Sequence, residues 1–144
     1  MRANLQACMT SKKTDYETPA SVFDPWDKKF GFTLDVCASK ENAKCKKFYT
    51  IEDDGLMQPW KGHTCWMNPP YGRKIIDKWV QKAVREASTY RHCVVVGLLP
   101  ARTSSRWWQY WVIPFALHIH YIPGRIKFVG EENSAPFPSA IVIW

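Results

Sequence analysis

The residues best placed to do chemistry are Asn68-Pro69-Pro70-Tyr71, which directly follow the apolar Cys65, Trp66 and Met67. Proline fixes its own φ and restricts the residue before it, so this tetrapeptide has few conformations and few backbone donors. Such a loop holds one side-chain oxygen and one carbonyl at fixed points. An exocyclic amine of a nucleobase is a poor nucleophile because its lone pair is delocalised into the ring. Two acceptors aimed at its two N–H groups, the Asn68 amide oxygen and the Pro69 carbonyl, draw the nitrogen toward tetrahedral geometry and expose that lone pair. Acceptors already in place need no reorganisation as charge develops. Tyr71 then offers a flat face on which a base can stack once it has left its helix. The plain alternative is a structural turn after an edge strand.

A loop of this kind needs strands to present it. "FTLDVCA" reads as a short buried strand with Asp35 near its carboxyl end, and "KKFYTI" as a weaker one followed by the acidic turn "EDDGL". "HTCWM" runs into the proline loop. After the loop, Ile75, Ile76, Trp79, Val80, Ala83, Val84 and Ala87 recur at the spacing of one helical stripe. "CVVVGLLP" is a fully apolar strand. "SSRWWQYW" reads as a short helix capped by Ser104, "ALHIHYI" alternates like a strand, "IPGR" turns into "RIKFV", and "SAIVIW" supplies the last strand. Upstream, "DYETPASVFDPW" predicts a helix with Thr18 as N-cap and Pro19 at the first helical position, ended or bent by Pro25. Helix and strand alternate to about residue 113. That predicts a mostly parallel sheet covered by helices on both faces, closed by an antiparallel C-terminal pair. Ligands of open α/β sheets bind beyond the carboxyl ends of strands, so Asp35, Asp53, Asp54 and Asn68 through Tyr71 should share one rim.

The chain's 144 residues suffice for one domain, read as a flexible arm over residues 1–13 and a single domain over residues 14–144. No apolar run or signal segment suggests a membrane span, so a soluble, cytoplasmic protein is expected. Five cysteines at wide spacings do not form a disulfide framework, and a zinc set of Cys37, Cys45, His63 and Cys65 lacks the usual close pair. No metal is expected; His118 and His120 are explained by a partly exposed strand. Twenty Lys and Arg against thirteen Asp and Glu give a net charge of +7, which favours a polyanionic partner.

"NPPY" resembles the catalytic motif of amino-methyltransferases. With "DYETP", "LDVCAS", "DDGL", "LLPARTSSRWW" and "GRIKF…APFPSAIVIW" in this order, the chain from about residue 14 to residue 144 resembles phage-type DNA N6-adenine methyltransferases. The resemblance implies a Rossmann-like class I fold, S-adenosylmethionine as cofactor and DNA as partner, in a bacterial host or phage-infected cell. It implies that Thr18 and Pro19 lie against the methionine part of the cofactor. Asp35, Cys37 and Ala38 would bind its methionine and ribose, and Asp54, Gly55 and Leu56 its adenine. Asn68, Pro69, Pro70 and Tyr71 form the catalytic loop of such enzymes. Arg102, Arg106, Arg125 and Lys127 are candidates for the DNA face, with solvated surface charge as the alternative. Cytosine-N4 methylation, methylation of a protein glutamine, and an inactive DNA-binding protein on the same fold are the competing readings.

Overall fold

The computed structural model describes residues 15–144, so the arm expected over residues 1–13 lies outside the described residues. In chain order the elements are α1 (Ala20–Phe30), β1 (Leu34–Asp35), β2 (Lys47–Phe48), β3 (Thr64–Met67), α2 (Ile75–Thr89) and β4 (Val94–Pro100). A π-helical turn (Trp108–Val112), β5 (His118–Tyr121) and β6 (Ser139–Ile143) complete them. The sheet order is β2-β1-β3-β4-β6-β5. Its first four strands are parallel, whereas β6 runs antiparallel to both β4 and β5. The chain goes outward from β1 to β2 on one side and to β3 and β4 on the other. The strand order therefore reverses between β1 and β3, the point where open α/β sheets leave a crevice.

Two apolar faces hold these strands in place. Along α2, Ile76, Trp79, Val80, Ala83 and Val84 are buried, each worth roughly 1.5–3 kcal/mol where the side chain is large. Ile75, expected on that stripe, is 47% exposed because the helix begins with it at the rim. Glu86, expected on the polar face, is buried and paired with Lys82 at 2.7 Å. Phe23 of α1 packs edge-on against Trp66 of β3 at 5.1 Å. The tryptophans Trp60, Trp66, Trp79, Trp107, Trp108 and Trp144 belong to the core.

Several local expectations are corrected. The N-cap of α1 is Pro19, whose carbonyl accepts the N–H groups of Val22 and Phe23, and the Thr18 hydroxyl is engaged elsewhere. Pro25 lies inside α1, which continues to Phe30; Ser21 and Pro25 are both exposed, where water can replace the missing donor. The helix stops at Gly31, whose φ of 64° suits a residue without a side chain. No helix joins β1 to β2 or β2 to β3, because residues 36–46 and 49–63 fold as turns and bends instead. Ser105, not Ser104, accepts the Trp108 N–H at 3.4 Å. "RIKFV" forms no strand; its Ile126 and Phe128 are buried as loop residues.

Candidate active site

A cleft of about 1190 Å³ opens beyond the carboxyl ends of β1, β2 and β3. Thr18, Asp35, Cys37, Ala38, Asp54, Gly55, Asn68, Pro69 and Pro70 all line it. The shared rim expected from the strand ends therefore exists. Pro19, Leu56 and Tyr71 do not line it, nor do Arg102, Arg106, Arg125 and Lys127.

Asn68 follows the last residue of β3 and is half-buried. Its amide nitrogen donates to the Tyr16 carbonyl and to the Thr18 hydroxyl, the latter at 3.0 Å. A carbonyl can only accept, so the nitrogen must face Tyr16 and the amide oxygen must face the other way. That oxygen accepts the Tyr71 hydroxyl at 2.7 Å and keeps a second lone pair. The Pro69 carbonyl accepts no hydrogen bond among the described residues. The loop thus presents one oriented amide oxygen and one uncommitted carbonyl. Arg102 braces it from behind by donating to the Tyr71 carbonyl at 3.0 Å. This arginine, a candidate for the DNA face, is itself exposed while one guanidinium nitrogen holds the loop. Arg106, Arg125 and Lys127 are exposed.

Tyr71 itself departs from expectation. Only 2% of it is exposed, its single hydroxyl proton is shared between the Asn68 oxygen at 2.7 Å and the Leu98 carbonyl at 3.0 Å, and the ring of Tyr16 stacks on it at 5.3 Å. Its ring is closed off in this state, so it is not an open platform.

Asp35 is buried at the end of β1, and among the described residues no cationic side chain is bonded to it. Its carboxylate accepts the backbone N–H groups of Cys37 and Lys44 at 3.3 and 3.0 Å. Burial nonetheless outweighs these bonds and pushes its pKa up to about 6. Beside it, burial and the Asp35 charge push the Cys37 thiol up to about 12, which leaves it protonated and a poor nucleophile.

In the acidic turn the two aspartates divide the work. Asp53 accepts both the backbone N–H and the hydroxyl of Thr50, which hold its carboxyl below the usual range. Asp54 adopts φ 56°, a conformation aspartate tolerates, and its carboxylate makes no hydrogen bond among the described residues. Gly55 is required by packing: a Cβ there would lie 2.2 Å from the Val36 carbonyl, and the Trp60 indole N–H donates to the Gly55 carbonyl at 2.9 Å. Its closeness to β1, more than any ligand contact, explains the glycine.

The cleft's electrostatics oppose those of the whole chain. Among the described residues, Asp15, Glu17, Asp35, Glu41, Glu52, Asp53 and Asp54 line it against Lys40 and Lys44. Seven carboxylates against two ammonium groups leave the cleft at a formal −5. Of the chain's net +7, the remainder therefore carries +12. A cation is drawn into such a cleft and a phosphate is kept out of it. Tyr16, Trp66 and Trp79 also line the cleft and were not singled out from the sequence. Tyr16 stands in the "DYETP" segment, where an aromatic two residues before Thr18 was the available signal.

Fold and cleft together set an oriented amide oxygen and an uncommitted carbonyl at the rim of an acidic cleft beyond the strand ends. Comparison with known proteins makes the class specific. The family model for DNA N-6-adenine-methyltransferase (Dam) matches residues 6–142. The DNA N-6-adenine-methyltransferase of Haemophilus phage HP1 (strain HP1c1) is 33% identical over 128 residues, covering 85% of this chain and 72% of the relative. The protein of the same description from Escherichia phage T1 is 36% identical over 94 residues, covering 64% of this chain and 38% of the relative. The chain belongs to the DNA N-6-adenine-methyltransferase family. Its activity class is methylation of adenine N6 in DNA, which requires a methyl donor. Among the described residues no helix is long and apolar enough to cross a membrane.

Proposed function

We propose that the cleft binds S-adenosylmethionine and that the Asn68 loop directs its methyl group to adenine N6, on a Rossmann-like class I domain spanning residues 14–144. The observation that carries this reading is an oriented amide oxygen and an uncommitted carbonyl at the rim of an acidic cleft. When bound, the cofactor supplies a methyl group on a positively charged sulfur. Asp35 would hold the positively charged end of the cofactor, whose approach would favour its ionised form. Asp54 would accept the cofactor's adenine amine, with Asp53 fixing the turn that presents it. Thr18 supports Asn68 through its hydroxyl, while Cys37, Ala38 and Gly55 shape the surrounding wall and Pro19 and Leu56 stand behind it.

At the substrate, the Asn68 oxygen and the Pro69 carbonyl take the two N–H groups of adenine N6. Pro70 keeps both stiff, and Tyr71 and Arg102 hold the loop's position. Positioning of this kind carries much of the barrier reduction in a transfer between two bound reactants. The carboxylates keep DNA phosphates outside, so only an extruded base enters, while Arg106, Arg125 and Lys127 serve the backbone. On this reading the protein works with DNA in the cytoplasm of a bacterial or phage-infected cell. The test is transfer of labelled methyl to duplex DNA followed by nucleoside analysis. Label in N6-methyladenine is expected; label in N4-methylcytosine, or none in DNA, overturns the reading.

A further inference from the structure

The surroundings of Tyr71 raise a question that the transfer chemistry leaves open. Tyr16 lies among three rings: it stacks on Tyr71 at 5.3 Å and 28°, tilts against Phe128 at 4.9 Å, and meets Phe137 edge-on at 5.4 Å. The three surrounding rings also touch one another, with centroids 5.7 to 6.4 Å apart. Tyr71 and Phe128 are each 2% exposed, and Tyr71 is anchored through its hydroxyl to Asn68 and the Leu98 carbonyl. They form fixed walls.

Their occupant is held differently. Tyr16 is half-buried, and its hydroxyl makes no hydrogen bond among the described residues, although a tyrosine hydroxyl in a packed site usually finds one. Among the described residues, ring contacts keep the side chain there. There is also room for it to leave, because Tyr16 borders both the main cleft and a second cavity of about 370 Å³ shared with Phe128 and the Gly130–Pro136 loop. The Tyr16 carbonyl bonded to Asn68 is main chain, so the ring can rotate away while that bond stays.

We propose that the box of Tyr71, Phe128 and Phe137 is the receiving site for the extruded adenine, and that Tyr16 fills it as a stand-in until the base displaces it. The proposal rests on the DNA-methylating reading above for the identity of the base. The box adjoins Asn68, so a planar ring in the place of Tyr16 stacks on the same side chain whose hydroxyl the Asn68 oxygen accepts. A base stacked on aromatics generally outcompetes a pair of side-chain rings, so adenine wins the exchange. Holding the site with its own ring keeps the aromatic surface out of water between turnovers. Apparent base affinity is lowered by the fraction of time the box is filled.

The exchange can be read without any methyl transfer. Titration with 2-aminopurine deoxyriboside, followed by quenching of its fluorescence, reports entry into an aromatic box. Tyr16→Ala should bind the probe about tenfold more tightly than the parent, the change expected if the box is open about a tenth of the time in the parent. Tyr16→Phe should match the parent, and Tyr16→Trp, which fills the box with a larger ring, should bind more weakly. Weaker binding by Tyr16→Ala would make Tyr16 a wall of the site, and equal binding by all forms would place the probe elsewhere; either overturns the proposal. Should Tyr16→Ala not fold, the Phe and Trp variants still decide the order. Methyl transfer to DNA is measured on the same proteins. A parent that transfers nothing while the quenching order holds would sink the catalytic reading and leave the exchange standing.

Discussion

The Asn68–Tyr71 loop and the Thr50–Gly55 turn line one cleft, yet their polar groups are arranged in opposite ways. In the loop nearly everything is committed: the Asn68 nitrogen has two acceptors, its oxygen has Tyr71, and the Tyr71 carbonyl has Arg102. In the turn, one carboxylate is committed so that the next can stay open, Asp53 being tied to Thr50 while Asp54 is exposed. The difference follows from what each must meet. A group that acts on developing charge gains from being immobile, whereas one that binds a ligand released every cycle must shed only water.

The contrast breaks first at Asn68. Asn68→Ala should lower kcat roughly a hundred- to thousandfold, the usual loss for one preorganised contact, with the cofactor dissociation constant little changed. A melting curve should accompany the measurement, since the same change removes the contacts to Tyr16 and Thr18. Near-normal turnover would mean that the loop's order serves the fold alone.

Asp54→Ala should act on the other side, weakening cofactor binding roughly ten- to a hundredfold, as expected for a hydrogen bond worth ~1.5–3 kcal/mol to a charged group. The chemical step at saturating cofactor should hold. Asp53→Ala should weaken binding less, and through the turn. If Asp53→Ala is the more damaging change, the division of labour is the reverse of the one drawn here.

Asp35 sharpens the comparison through pH. Its folded pKa of about 6 stands above the ordinary 3.8, so the folded state holds the proton more firmly than the unfolded chain. Its contribution to stability is therefore present below about pH 4 and lost as pH rises through about 6. A cationic cofactor prefers the ionised form, so its affinity should run the other way, rising about tenfold from pH 5 to pH 7 by calorimetry. A flat profile would leave Asp35 without a charged partner in the cleft.

The smallest expected effect belongs to Tyr71→Phe. Removing the hydroxyl costs Asn68 one orienting bond and leaves the Leu98 carbonyl without this donor. A neutral hydrogen bond is worth ~0.5–1.5 kcal/mol, so kcat should fall roughly two- to tenfold. No loss of rate would show that Pro69 and Pro70 suffice to aim the amide.

Much of this was legible in the residues because it depends on local covalent limits. The stiffness of Asn68-Pro69-Pro70, the stripe from Ile76 to Val84 and the apolar run of β4 are set by φ restriction and periodicity, which need no tertiary partner. The same holds for the strand ends that carry Asp35 and Asn68. What only the tertiary structure decided depends on residues far apart in the chain. Thr18 was free in sequence terms to cap α1, but it lies beside Asn68, 50 positions on, and bonds to it instead. Gly55 looks like a turn residue until Val36 is brought against it. An acidic cleft in a basic chain cannot be read from net charge, because it arises when seven carboxylates from separate segments converge. Tyr71 looked like an open face because proline loops sit at strand ends. The fold closes that face with Tyr16, Phe128 and Phe137, since burying four aromatic rings together removes more apolar surface from water than leaving one exposed.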